Sequence, residues 1–128
     1  MPLLPGRIHL APGDRHLVLV RRAGAVVCRL DNGPPENFCK PSVDPMLRSV
    51  ASHYGSAALA IILTGMGKDG LKGCQTLVDA GGQVLAQDQS TSAVWGMPRA
   101  VFEAGLCKAA LPLSLLPEAI LKIAQGRG

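Results

Sequence analysis

The chain has 128 residues, 48% of them hydrophobic and 3% aromatic, with a formal net charge of +4. That length suits one domain with one core, and the apolar content fits a globular chain rather than a disordered one. The thirteen Lys and Arg are spread from Arg7 to Arg127 with only Arg21 and Arg22 adjacent, and the few aromatics offer little on which bases could stack, so nucleic acid is not an expected partner.

No apolar run approaches the ~20 residues a membrane helix needs. Met1 to Arg7 lacks the charged start and long apolar stretch of a signal peptide. A soluble, cytoplasmic protein without membrane insertion is expected. The cysteines, Cys28, Cys39, Cys74 and Cys107, contain no C-x-x-C pair, and His9, His16 and His53 add no closely spaced ligands. A zinc site wants such pairs, so no metal is expected and the thiols are read as reduced.

In chain order, residues 7–31 alternate as strands do, over 7–11, 16–20 and 25–30, with turns at Pro12-Gly13-Asp14 and Ala23-Gly24. An antiparallel β meander or hairpin is predicted there. Three prolines keep residues 32–41 in a loop. Ser42-Val43-Asp44-Pro45 can cap a helix that buries Met46, Val50 and Ala51 and stops at Gly55. Residues 57–64 form a continuous apolar run, read as a strand buried on both faces of a parallel sheet. A helix over 69–79 follows, with Leu71, Cys74, Leu77 and Val78 at helical spacing, and then a strand over 83–87. A polar loop (88–92), a short helix after Pro98, a strand near 108–111 and a helix over 114–125 complete the pattern. Strands alternating with helices predict right-handed βαβ units. The expected class is α/β, a three-layer sandwich with a mostly parallel sheet over 42–126, preceded by the meander.

Leu63-Thr64-Gly65-Met66-Gly67-Lys68-Asp69-Gly70 leaves a buried strand and enters a helix, where open α/β sheets place their ligands. Three readings are open. Gly65-x-Gly67-x-x-Gly70 matches the dinucleotide fingerprint, with Asp88 near the place of a ribose-binding acid. A carboxylate at the start of that helix would repel a pyrophosphate, however, and the motif sits mid-chain. In the second reading Asp69 orients a histidine, as the acid of a Ser-His-Asp triad does. In the third it caps its helix and does nothing more.

The segment Ile62 to Gly70 resembles the motif around the catalytic aspartate of CheB-type protein-glutamate methylesterases. Ala11-Pro12-Gly13-Asp14-Arg15-His16, Pro41-Ser42-Val43-Asp44, and Ala86-Gln87-Asp88 through Gly96-Met97-Pro98-Arg99 match further family motifs in the right order. The likeness runs from about Gly6 to Ala124. It implies hydrolysis of glutamate methyl esters on methyl-accepting chemotaxis receptors, and deamidation of certain receptor glutamines, by serine-hydrolase chemistry without a cofactor. It also implies that Asp69 is the triad aspartate. The loop Thr64, Gly65, Met66 and Gly67 would then lie beside the reacting ester, with the Met66 N–H available to the oxyanion, and Met97-Pro98 would belong to a supporting loop. Trp95 stands where relatives usually carry phenylalanine.

The family's nucleophilic serine, in a Gly-rich turn, and its base, in a His-x-Pro motif, have no counterpart among these 128 residues. Nor has its receiver domain. The chain is therefore expected to be the C-terminal part of the catalytic domain, incomplete and inactive by itself. Its strand over 57–64, or that strand's neighbour, is expected to become an apolar sheet edge that leaves the chain marginal, self-associating or completed by another polypeptide. A non-catalytic remnant that keeps a receptor- or partner-binding surface is the main alternative, and a dinucleotide-binding module is a further one.

Overall fold

The computed structural model describes residues 1–126. Two strands open the fold, β1 (His16–Arg22) and β2 (Ala25–Asp31), paired antiparallel from His16↔Asp31 to Arg22↔Ala25. Ala23 and Gly24 turn the hairpin with φ of 50° and 80°. The third strand expected over 7–11 does not form. Met1 to Leu3 take its place beside β2 through the bridge Pro2↔Val27 and two backbone hydrogen bonds. Ile8 and Leu10 are 97% and 90% exposed. Their alternation was therefore no sign of a buried face.

Helix α1 (Val43–Tyr54) packs on β1 and on α2 (Leu71–Asp79). Leu47 and Ala51 are buried in that packing. The parallel sheet has the order β3 (Leu59–Ile62), β4 (Gln83–Gln87), β5 (Ala109–Leu111), with α2 and α3 (Met97–Glu103) in its crossovers and α4 (Leu116–Ala124) after it. Both crossovers step in the same direction, so right-handed connections place α2 and α3 on one face. Their mutual contact agrees with this. The expected α/β class is borne out, and so is the hairpin.

The expectation for residues 57–64 needs correction. β3 spans only Leu59–Ile62; Ala60 and Ile62 are buried, while Leu59 and Ile61 are half-buried. The strand buried on both faces is β4, where Val84, Leu85, Ala86 and Gln87 are all enclosed. β4 has a hydrogen-bonded neighbour on each side, whereas β3 is an edge among the described residues. The apolar run was legible, but which strand lay in the middle depended on neighbours the local pattern does not specify.

The helices meet closely at Gly73 of α2. A methyl group there would stand 2.7 Å from Leu47 Cβ and 3.2 Å from Asp44 Cα. Only glycine lets the two backbones approach so far.

Candidate active site

The start of α1 faces the start of α2, and each helix is capped by a carboxylate from the other. Asp44, on α1, accepts from the Gly70 and Gly73 N–H groups at 3.1 and 2.7 Å through Oδ1. Asp69, just ahead of α2, accepts from the Val43 N–H at 2.8 Å through Oδ2. Its Oδ1 accepts from the Ser42 hydroxyl at 2.6 Å and the Asp44 N–H at 3.3 Å. A helix start leaves unpaired N–H groups and a partial positive charge, and a buried carboxylate satisfies both. These caps therefore tie α1 to α2 across more than twenty residues of chain.

Asp44 and Asp69 are 1% and 5% exposed. Two neighbouring carboxylates would repel if nothing lay between them. Asn37 fills that place, and its Nδ2 donates to Asp44 Oδ2 at 2.7 Å and to Asp69 Oδ1 at 3.1 Å. The loop carrying Asn37 is held in turn by His16, which is buried. His16 Nδ1 accepts from the Ser42 N–H at 3.0 Å, so Nε2 carries the proton it gives to the Pro34 carbonyl at 2.8 Å. Asp69 does act as a helix cap, but of α1 and not of its own helix. Ser42, expected as a cap, makes no side-chain bond to α1 and donates to Asp69 instead.

The donors on Asp69 are unevenly shared. Oδ1 receives three and Oδ2 one. A carboxylate offers about four lone-pair sites, two on each oxygen. By that count Oδ2 keeps one lone-pair site without a donor among the described residues.

The loop from Thr64 to Gly67 leaves the C-terminal end of β3 and is laced to the segment 94–97. Gly65 donates to the Val94 carbonyl at 3.0 Å and accepts from the Gly96 and Met97 N–H groups at 3.1 and 2.8 Å. The Thr64 hydroxyl donates to the Val94 carbonyl and accepts from the Val94 N–H. A methyl group on Gly96 would stand 2.8 Å from Gly65 O, and one on Gly65 would stand 2.6 Å from Met97 Sδ. The two loops therefore cross at glycines, and Pro98, which follows the second of them, is buried. Met66 is 80% exposed at the tip, and among the described residues no backbone acceptor takes its N–H. The two loops singled out in the sequence are thus brought together.

Gln87, at the end of β4, organises both loops and was missed in the sequence. It is 2% exposed. Its Oε1 accepts from the Thr64 N–H at 2.8 Å, its Nε2 donates to the Thr91 carbonyl at 2.8 Å, and its own carbonyl accepts from Trp95 Nε1. A polar residue ending an apolar strand was the available signal.

The chain matches the family model described as CheB methylesterase over residues 1–120. The chain belongs to this family. It is 55% identical over 124 residues to a protein-glutamate methylesterase/protein-glutamine glutaminase of Azospirillum brasilense, covering 96% of the chain and 32% of that protein. A group 2 operon protein of the same description from Rhodospirillum centenum is 53% identical, with 98% and 32% covered. The crystal structure of the Thermotoga maritima CheB methylesterase catalytic domain superposes with a TM-score of 0.93 at 41% identity, covering 96% of this chain and 65% of that one. The chain thus spans about a third of the length of these relatives and about two thirds of that catalytic domain.

The dinucleotide reading fits this loop poorly. Gly70 and Gly73 already give their N–H groups to Asp44, so the donors a pyrophosphate needs are taken, by Asp44 rather than by the Asp69 expected to repel it. Asp88 turns inward on its own loop. Its Oδ1 accepts from the Thr91 hydroxyl at 2.6 Å, and that hydroxyl holds the carboxyl below its ordinary range.

Proposed function

We propose that this chain is the aspartate-bearing part of a protein-glutamate methylesterase of chemotactic adaptation, with Asp69 as the acid of a Ser-His-Asp triad. The observation that carries the reading is the Asp69 carboxylate itself: buried, fixed by four donors, and with Oδ2 still able to accept a fifth. A histidine N–H would enter there. Asp69 would set the histidine's tautomer and stabilise the imidazolium formed when the base takes the serine proton. The Met66 N–H, which no backbone group among the described residues accepts, would receive the oxyanion in this reading, with Gly65, Gly67, Met97 and Pro98 keeping that loop in shape. Receptor glutamate methyl esters, and receptor glutamines, are the substrates this reading assigns, in the cytoplasm and without metal or cofactor.

The serine and histidine are not among these residues, so the 128-residue chain alone is expected to be inactive. Loss of a triad nucleophile or base costs about 10⁴–10⁶ in rate. The test is methanol release from methylated receptors. The chain alone should give none. Combined with a segment supplying the Gly-rich serine turn and the His-x-Pro motif, it should turn over, and Asp69→Asn should abolish that turnover in a variant verified as folded. Turnover by the chain alone, or full activity of folded Asp69→Asn, would overturn the assignment.

A non-catalytic partner-binding role is favoured by one feature, the open edge of β3. Beside it lies a groove of about 390 Å³, walled by Val43, Met46 and Val50 and floored by Leu59 to Leu63. An apolar edge with unpaired backbone groups is a place where a further strand adds. A receptor or other partner segment that adds there as a strand is the occupant this reading names, whereas under the methylesterase reading the same edge takes the remaining part of the catalytic domain. Receptor binding without methanol release, unaffected by Asp69→Asn, would favour this role.

A further inference from the structure

A second groove, of about 500 Å³, lies beside the Met66 loop, and the side chains of Lys68, Trp95, Arg99 and Glu103 that line it have no part in the chemistry above. Gly67 and Gly96, which belong to the laced loops, are among its lining residues. Lys68, Trp95, Arg99 and Glu103 line its length. Among the described residues Lys68 has no carboxylate within ion-pair distance. Arg99 pairs with Glu103 through Nε alone, in an exposed i,i+4 contact, so both terminal nitrogens are uncommitted. The groove therefore carries two cations against one carboxylate, beside an indole wall. Trp95 is held in place by its Nε1–H bond to the Gln87 carbonyl and by Phe102, whose ring centre lies 5.8 Å away.

We infer that this groove binds a free glutamate side chain of the polypeptide substrate, next to the residue being hydrolysed. The inference rests on the methylesterase reading for the identity of that polypeptide. Each turnover converts a neutral ester and one water into a carboxylate, a proton and methanol; an amide gives the carboxylate and ammonium. A segment with several such residues thus gains negative charge as it is processed. Lys68 immediately precedes Asp69, and Gly96 packs on Gly65, so the cations flank the reacting end of the loop. The indole suits the methylenes of a glutamate while Lys68 and Arg99 receive its carboxylate. A segment already carrying one free glutamate binds better than a fully neutral one, and hydrolysis at one position promotes hydrolysis at the next.

Trp95 is the chain's single tryptophan, so its emission reports on this groove in the 128-residue protein. The probes are a helical peptide with glutamates three and four residues apart and the same peptide with glutamines. The glutamate peptide should shift Trp95 emission saturably and bind several-fold more tightly than the glutamine one. Lys68→Gln and Arg99→Gln should each weaken it about threefold, Lys68→Glu about tenfold, and 1 M salt should erase the preference. Equal affinity for the two peptides, no binding of either, or indifference to all three substitutions overturns the inference. Competition by inorganic phosphate as effective as by the peptide reduces the groove to a simple anion site and overturns it as well. In the completed enzyme, Lys68→Gln should raise KM for the partly hydrolysed substrate with kcat unchanged. If that enzyme proves inactive, the methylesterase reading fails while the peptide titration still decides the groove.

Discussion

Replacing Asp69 should destabilise the fold whether or not the residue catalyses anything. Asp69→Ala removes the acceptor for the Val43 N–H, the Ser42 hydroxyl and one hydrogen of Asn37. Loss of an N-cap costs about 0.5–2 kcal/mol, loss of the negative charge at a partly buried helix start up to about 2 kcal/mol, and each buried donor left without a partner about 1–3 kcal/mol. These overlap, and a net loss of about 3–5 kcal/mol is expected, a large share of the roughly 5–15 kcal/mol that holds a domain together. Asp69→Asn can keep an oxygen toward Ser42 but then turns an NH₂ toward the Val43 N–H, so about 2–3 kcal/mol is expected from one lost cap and a donor facing a donor. Urea unfolding followed by circular dichroism measures this. With a slope near 2 kcal/mol per molar, the asparagine midpoint should fall by about 1 M or more. A double-mutant cycle with Asp44→Asn should be non-additive, because Asn37 binds both carboxylates. If both Asp69 variants unfold within about 0.5 kcal/mol of the parent, the crossed caps do not hold α1 to α2.

Gly73→Ala should destabilise by about 1–3 kcal/mol in the same urea assay, since the close Leu47 contact outweighs the roughly 1 kcal/mol alanine gains in helix propensity. Burial pushes the thiols of Cys74 and Cys107 up from 9.0 to about 12 and about 11. The native state then keeps protons that the unfolded state releases, so stability is complete below pH 9 and falls as pH rises from 9 toward 12, by at most about 1.4 kcal/mol per pH unit for each thiol. Urea midpoints between pH 7 and pH 10.5 test this, and at pH 8 iodoacetamide should label the half-buried Cys39 well before Cys74. The Glu36–Arg48 pair makes two hydrogen bonds of 2.8 Å but is substantially exposed, so a double-mutant cycle should return no more than about 1 kcal/mol. Arg48 lowers the Glu36 carboxyl below 4.5; the contribution is present above that pH and disappears as pH falls through the lowered value.

Periodicity located α1, α2, β4 and the hairpin because each buries one stripe or both faces of its own local pattern. It failed at residues 7–11, where Ile8 and Leu10 alternate with polar neighbours yet face outward, since alternation records a capacity to bury a face and not a neighbour to bury it against. The same gap put the fully enclosed strand at β3 instead of β4. At the candidate site, the Gly65–Gly70 loop was legible from its glycines and its place after an apolar strand. Asp69 was legible as a carboxylate at a helix start, but the helix it serves is α1, and pairings across more than twenty residues leave no local signature. Asn37, His16 and Gln87 escaped for that reason: each is a polar residue whose partner lies on a different segment.

The crossed caps also bear on how an acid for a histidine can be kept ready within this part of the fold. Asp69 needs no partner cation, because the N-terminus of α1 and the amide of Asn37 supply the compensation that a buried charge requires. The donors crowd Oδ1 and leave Oδ2 with one bond, so under the triad reading the remaining lone pair of Oδ2 would have a defined direction before an imidazole arrived. Such fixed placement is what electrostatic preorganisation demands, since no reorganisation then remains for the reacting complex. Under the triad reading the same arrangement would make fold and chemistry inseparable at this residue, because every substitution that removes the acid also uncaps α1. Loss of activity in an Asp69 variant therefore argues for catalysis only beside a variant that loosens the caps and spares the carboxylate. Asn37→Ala is that variant. It removes one donor from Asp69 Oδ1 and the bridge to Asp44, leaves Oδ2 untouched, and should lower stability with a far smaller loss of turnover than Asp69→Asn.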